Sequence, residues 1–311
     1  MGSGFTGPAA GGRMPPKVAL LGLDWGTTTL RGYLIGADGK VQSARTKNSG
    51  ILQVEDGNFG AALNQLAGDW LGSAENLPII ASGMIGSRQG WMEVPYVELP
   101  AGPEELIPMR FDDFDRTIHM IPGLAFRNAA GIPDVMRGEE TQIAGVGADG
   151  IFLMPGSHSK WVLVVNGRIT WFATFMTGEL FAALKDHTIL GRMMAGAVDD
   201  SAAFARGVKY GHGTAPTLQS LFSARSLALF GDLPEMGVAS YLSGLLIGAE
   251  IAEAHTMMDT SGPMITIIGE ADLAGHYERA LSHCGFNSQP APQDAAARGH
   301  WRIATAAGLL N

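Results

Sequence analysis

The sequence predicts an α/β protein of two domains. Three observations carry that prediction. Strand-type and helix-type apolar patterns alternate along the chain, a unit of three short strands with a polar first turn occurs twice, and 311 residues exceed what one core usually organises. Order is expected from Lys17, after a Gly/Pro/Ala-rich stretch over residues 1–16 that reads as a disordered lead-in without the apolar run of a signal peptide. VALLGLDWG is a buried strand. RGYLIGADGKVQS adds a strand, a turn at Ala37, Asp38 and Gly39, and a third strand, making an antiparallel meander. Phe59, Leu63, Leu66 and Trp70 share one helical face between Asn58 and Trp70. LPIIASGMIG is a short apolar strand running into a glycine-bordered loop, and Trp91 to Pro103 is irregular and punctuated by proline.

Asn128, Gly131 and Pro133 interrupt the pattern between Phe126 and Val135, which sets the expected domains at 17–130 and 131–311. A helix starts near Gly138 and continues through Glu140, Ile143 and Ala144. IFLMPGSHSKWVLVVNGRITWFAT then repeats the opening layout, with an Asn-Gly hairpin before its third strand. From Met176 the chain turns mainly helical in GELFAALKDHTIL and SYLSGLLIGAEIAEAH. A last buried strand, MITIIG, precedes a helix from about Leu273 to Cys284 and a closing segment, RIATAAGLL.

Hydrophobic residues make up 46% and charged residues 16%, enough for buried cores and too apolar for disorder. The formal net charge of −9 argues against a nucleic-acid or anionic-membrane partner, since either calls for a basic surface. No apolar run reaches the ~20 residues of a membrane span. The single Cys284 excludes an internal disulfide framework and fits a reducing, cytoplasmic setting. A two-fold dimer is the expected assembly only because such dimers are the commonest.

The chemistry concentrates in the two turns. In LDWGTTTLR, Gly26 lets the backbone approach an anion, and Thr27, Thr28 and Thr29 offer N–H and hydroxyl donors. Asp24 ends the strand where a carboxylate can hold Mg²⁺ through water, and Arg31 leaves the turn as a charge partner for phosphate. Taken alone, this turn is as well explained by an ordinary hairpin. The second turn, PGSHSKWV over 155–162, presents Gly156, Ser157, His158, Ser159 and Lys160 in the same setting, so that two donor-rich hairpins would enclose a polyphosphate. Neither is a Walker A loop or a Rossmann fingerprint, and the serines lack the GxSxG elbow of a hydrolase.

Paired phosphate hairpins in two related domains resemble the actin/hexokinase/Hsp70-type ATPase fold, a two-domain, ribonuclease H-like architecture with its active site in the interdomain cleft. Within it, DWGTTTLRGYLI, SGMIGSRQGW, MRGEETQIAG, PGSHSKWV and TFMTGELFAAL resemble the 2-dehydro-3-deoxygalactonokinase family, bacterial sugar-acid kinases of galactonate catabolism. The resemblance covers about residues 20–310. It implies ATP and Mg²⁺ as cosubstrate and cofactor and phosphorylation of 2-dehydro-3-deoxy-D-galactonate to its 6-phosphate. A kinase for a related sugar or sugar acid, or a non-catalytic nucleotide-binding regulator, are the alternatives.

The resemblance also distributes roles. Glu139 is the first choice and Glu140 the alternative for the base, although helix N-terminal acidity alone accounts for such residues. The loop Ser82, Gly83, Met84, Ser87 and Arg88, with Trp91 and Tyr96, faces the sugar acid. Arg88 and Arg137 compete for its carboxylate. Thr177 and Glu179 of MTGELF reach toward substrate from the second half. Gly269, with Glu270 and Ala271, matches the adenosine segment of the superfamily.

Overall fold

The computed structural model describes residues 17–73, 76–113, 116–194, 196–213, 217–258, 260 and 262–310. The expected lead-in at 1–16 lies outside the described residues. The first half contains β1 (Val18–Trp25), β2 (Leu30–Gly36), β3 (Val41–Lys47), α1 (Phe59–Ser73), β4 (Ile79–Gly83), β5 (Val97–Glu98), β6 (Met109–Asp113), β7 (Arg116–Met120), β8 (Leu124–Arg127) and β9 (Pro133–Met136). There follow α2 (Glu139–Val146), β10 (Gly150–Met154), β11 (Ser159–Val165), β12 (Arg168–Phe175), α3 (Thr177–His187), α4 (Ser201–Gly213), α5 (Thr217–Leu221), α6 (Ser223–Leu229), α7 (Val238–Met257), β13 (Ile265–Ile267), α8 (Ala271–His283), β14 (Ser288–Pro290) and α9 (Ala295–Ala306).

The predicted repetition is in the topology. One sheet runs β3-β2-β1-β4-β7-β6 and the other β12-β11-β10-β13-β14. In each, three antiparallel strands from a meander are followed by two parallel strands reached through crossovers. This is the ribonuclease H-like order written twice, and it is the actin-like ATPase fold. The first sheet adds β6 as an antiparallel edge on β7.

Period-two alternation decides what each face of β1 meets. Leu21, Leu23 and Trp25 pack with α1 residues Phe59, Leu63 and Leu66. Leu20, on the opposite face, joins Ile35 and Ile80 in a core shared with Ile143 of α2, Ile303 of α9, and Phe152 and Val162 of the second sheet. The helices α2 and α9 thus lie between the two sheets. They touch backbone to backbone: a Cβ on Gly145 would stand 1.7 Å from the Ala295 carbonyl oxygen, and one on Gly299 would stand 1.8 Å from that of Thr141. Because Asp24 shares the face of Leu20, its carboxylate points into this central region rather than toward α1.

Two expectations change. The boundary near residue 130 falls inside a hairpin, not a linker, since β8 and β9 pair antiparallel from Leu124↔Met136 to Arg127↔Pro133. The interrupting residues are the chemistry of that turn: the Asn128 side chain accepts from the Ala130 and Ile132 N–H groups, and Gly131 takes φ +78°. The segment expected only as a closing piece is α9, which packs on β1 and β4 of the first sheet. Among the described residues no helix is long and apolar enough to cross a membrane.

Candidate active site

The two turns predicted to hold phosphate sit at equivalent ends of β1 and β10, each with two exposed positions, Thr27 and Thr28 in one and Ser157 and His158 in the other. Each is backed by a glycine to which the sequence reading assigned no role. Gly50 lies against the first turn, where an added Cβ would stand 2.3 Å from the Thr28 nitrogen, and the Ile51 N–H donates to the Gly26 carbonyl at 3.0 Å. Gly178, at the start of α3, lies against the second, where an added Cβ would stand 2.4 Å from the Gly156 oxygen. The Glu179 N–H donates to the Ser157 carbonyl at 3.0 Å. Nothing local in the sequence marks these two glycines, because each acts on a turn more than twenty positions away.

Two glycines set the acidic start of α2 beside the end of β1. Gly83 takes φ +92°, and an added Cβ there would meet the Trp25 carbonyl at 2.7 Å. Gly138 takes φ +113° and stacks on Gly83, which brings the start of α2 beside the end of β1. Asp24, 8% exposed, faces Arg31 at 3.6 Å as its direct cross-strand partner. Arg31 in turn pairs with Glu270, joining the first half to the second. Burial raises the Asp24 carboxyl above its ordinary range. Arg31 opposes that rise, while the charges of Glu139 and Glu270 add to it.

The neighbouring glutamates differ. Glu139 is half-buried, and its Oε2 accepts from the Arg137 N–H at 2.9 Å. Glu140 is 1% exposed and accepts from the Gly138 N–H at 2.7 Å and the Thr141 hydroxyl at 2.9 Å. Burial first, and the Glu139 charge second, push its carboxyl up to about 7. Glu139 therefore shares an electrostatic environment with Asp24, whereas Glu140 is enclosed.

Several predicted contacts are turned away from solvent. Ser82 is 1% exposed, and its hydroxyl lies 2.9 Å from His300 Nε2 on α9. Burial depresses the His300 imidazole to about 3, so the ring is neutral. Ser159 is fully buried and meets the Tyr277 hydroxyl at 2.9 Å. Lys160 directs Nζ away from the turn, to the Val135 carbonyl at 3.0 Å and the Thr174 hydroxyl at 2.6 Å. Trp91 joins an aromatic cluster, stacked on Phe59 and edge-on to Trp25. The Ser87 hydroxyl donates to the Met84 carbonyl at 2.7 Å, and Met84 packs against the first core. Arg88 projects outward, its side chain 87% exposed and 3.6 Å from Glu93. Coverage of both sheet faces explains the first three, since β4 and the start of β11 are buried on either side. A residue beside a turn still belongs to its strand, and its side chain follows the sheet face.

The second half contains what the sequence reading missed. Glu250, in the middle of α7 and 3% exposed, accepts from Trp161 Nε1 at 2.9 Å and the Tyr277 hydroxyl at 2.8 Å. The Thr177 and Ser159 hydroxyls also bond to it. Burial raises its carboxyl and these four donors oppose the rise. One buried carboxylate thus ties together β11, α3, α7 and α8. His158 pairs across the turn with Glu179. Beside this network lies a cavity of about 810 Å³, lined by Gly156, Ser157, Phe181, Phe204, Ser243 and Tyr277 among others. Gly269 lies against Pro155, where an added Cβ would stand 3.5 Å away. Among the described residues no cluster of three or more metal-ligating side chains occurs. A cation shared between one carboxylate, water and phosphate oxygens needs none.

This arrangement matches a known family. The family model described as 2-keto-3-deoxy-galactonokinase matches residues 24–303. A Rhizobium meliloti protein named as a 2-dehydro-3-deoxygalactonokinase is 38% identical over 290 residues, covering 89% of this chain and 93% of the relative. The 2-dehydro-3-deoxygalactonokinase of Escherichia coli is 33% identical over 279 residues, covering 89% and 94%. A crystal structure of a 2-dehydro-3-deoxygalactonokinase protein from Sinorhizobium meliloti superposes with TM-score 0.84 at 36% identity, over 93% of this chain and 98% of that one. With the paired turns and the central acids inside the matched span, the chain belongs to the 2-keto-3-deoxy-galactonokinase family.

Proposed function

We infer that the protein is an ATP-dependent kinase that phosphorylates 2-dehydro-3-deoxygalactonate at its terminal hydroxyl, giving the 6-phosphate and ADP. Family membership supports the substrate. The observation that carries the chemistry is the Gly138–Gly83 contact, which sets Glu139 at the start of α2 beside the strand end that bears Asp24 and the exposed, donor-rich first turn. MgATP supplies the phosphoryl group and the cationic charge that offsets the phosphates.

The chain's own residues do the rest by positioning and neutralisation, which dominate phosphoryl transfer. Asp24 would hold a magnesium ion through water. The backbone and hydroxyls of Gly26 to Thr29 and of Gly156 to His158 donate to phosphate oxygens. Arg31 exchanges its bond to Glu270 for phosphate charge. The cavity beside Gly156 takes the nucleoside, being of the size that ordinarily holds such a ligand. Glu139 orients the acceptor hydroxyl and takes its proton. Glu140 is assigned no contact with substrate, because its oxygens are already engaged by Gly138 and Thr141. Closure of the two halves excludes water and limits ATP hydrolysis.

The test is ADP release by purified protein with ATP, Mg²⁺ and a panel of keto-deoxy sugar acids differing at single stereocentres. Acid-dependent ADP formation is expected, greatest with the galactonate derivative. Glu139→Gln is expected to lower kcat by about 10²–10⁴-fold, with Glu140→Gln retaining most of it. Absence of ADP with every acid in the panel overturns the kinase reading. Preference for another epimer reassigns the acceptor.

A further inference from the structure

Arg137 is the residue whose chemistry the fold leaves unfinished. It stands at the end of the β9–α2 connection and is 9% exposed. One guanidinium nitrogen, Nη2, donates to the Val94 carbonyl at 2.7 Å. The Tyr96 ring covers a face of the guanidinium at 4.3 Å from ring centroid to Cζ. The other two nitrogens, Nε and Nη1, are buried without a hydrogen-bond partner. Gly86 leaves the space beside Nη1 free of any side chain, since even a Cβ would stand 3.0 Å from it. Among the described residues no carboxylate forms an ion pair with it. Its neighbour Glu139 engages the Arg137 backbone N–H.

A buried guanidinium with unpaired donors is unfavourable unless an anion completes it. We propose that Arg137 is the anion-recognition residue of the acceptor site and binds the carboxylate of the sugar acid. This rests on the reading of the protein as a sugar-acid kinase and deepens it by naming the group that selects an acid over a neutral sugar. Arg88, the rival candidate, is hydrated and already beside Glu93, so an acid gains little by reaching it. The position of Arg137 adds a second consequence. Its guanidinium and the Glu139 carboxylate belong to one short turn around Gly138, so seating the acid group fixes the substrate relative to the base. Tyr96, 43% exposed on an irregular segment, is the side chain that must yield as the acid enters.

The experiment is calorimetric titration of the full-length protein, without nucleotide, with 2-dehydro-3-deoxygalactonate and with its neutral amide. Wild type is expected to bind the acid and discriminate strongly against the amide. Arg137→Gln should lose at least about a hundredfold in affinity for the acid and bind the two alike. Arg137→Lys, which keeps the stem and charge, should recover part of the preference. Arg88→Gln should bind as wild type. Equal affinity of wild type and a folded Arg137→Gln for the acid overturns the assignment. So does loss of acid binding in Arg88→Gln while Arg137→Lys is unaffected, an arm that holds even where the glutamine variant fails to fold. Acid binding that depends on Arg137 in a protein releasing no ADP would leave this assignment standing and remove the kinase reading instead.

Discussion

The turns at 26–29 and 155–159 occupy the same place in two copies of one topology, yet their chemistry is divided between them. The first is charged: Asp24 and Arg31 face each other across its base, and its threonines stand exposed. The second carries no acid at its base. Its strand begins with a buried serine and a buried lysine, and it is held from below by Glu250. The fold repeats the bracket, and on the reading proposed above the residues behind each turn make one the metal and proton side and the other the nucleoside side. A shared fold therefore predicts where the turns are but not which does what. That difference lies in the residues one step behind the turn.

Substitutions on the two sides should fail differently. The largest effect is expected from Asp24→Asn, which keeps the shape of the first turn and removes its anion. Turnover at saturating ATP and acid should fall on the order of a thousandfold, because the metal's charge is then misplaced. Rescue of that loss by excess Mg²⁺, or a comparable loss from a neutral substitution in the second turn, would break the division. Glu250→Ala should act on stability and on ATP binding more than on turnover. It strands the Trp161 N–H and the Tyr277 hydroxyl in a buried site, so about 2–4 kcal/mol of unfolding free energy should be lost in urea titrations. The KM for ATP is expected to rise about tenfold, with kcat changing less.

The smallest expected effect lies on the pH axis. Glu140 has a carboxyl raised to about 7 in the folded protein, against 4.5 for the ordinary side chain. Between those values the unfolded chain loses its proton and the folded one keeps it. The folded state then binds more protons, and stability falls as pH rises through that window. Glu140→Gln removes this dependence. Measured by denaturation between pH 4.5 and 7, the variant should gain on wild type by up to roughly 2–3 kcal/mol. A flat difference across the window would show that Glu140 is ionised in place, and would reopen its candidacy as the base.

What the sequence made legible follows from how far each signal reaches. The meanders, α1 and the start of α2 could be read because period and turn chemistry are local. Asp24 and Glu139 could be read because a carboxylate at a strand end or helix start is conspicuous. The strands β6 and β7 were missed, since MRFDDFDRTIHM mixes charge with short apolar pieces in the manner of an edge rather than a core strand. Glu250 was hidden in the apolar stripe of SYLSGLLIGAEIAEAH, where one acid reads as a solvated position. Phe181, Phe204 and Ser243 line the cavity from three different helices, and no spacing along the chain announces that they converge. Ser82, Ser159 and Lys160 had the right chemistry for a ligand but were claimed by His300, Tyr277 and Thr174, partners far away in sequence.

The return of α9 to the first sheet bears on how the molecule comes into being. The strands β1 and β4 are among the first made, but the face carrying Leu20, Gly22 and Ser82 is covered by His300 and Ile303, which are among the last. During synthesis that surface waits for the segment around His300 and Ile303 before its permanent cover arrives. Contacts of such long sequence separation form slowly, because loop closure is unfavourable until the packing exists to offset it. The strand face behind the first turn is therefore early in sequence and late in assembly, since the helix that covers it is α9.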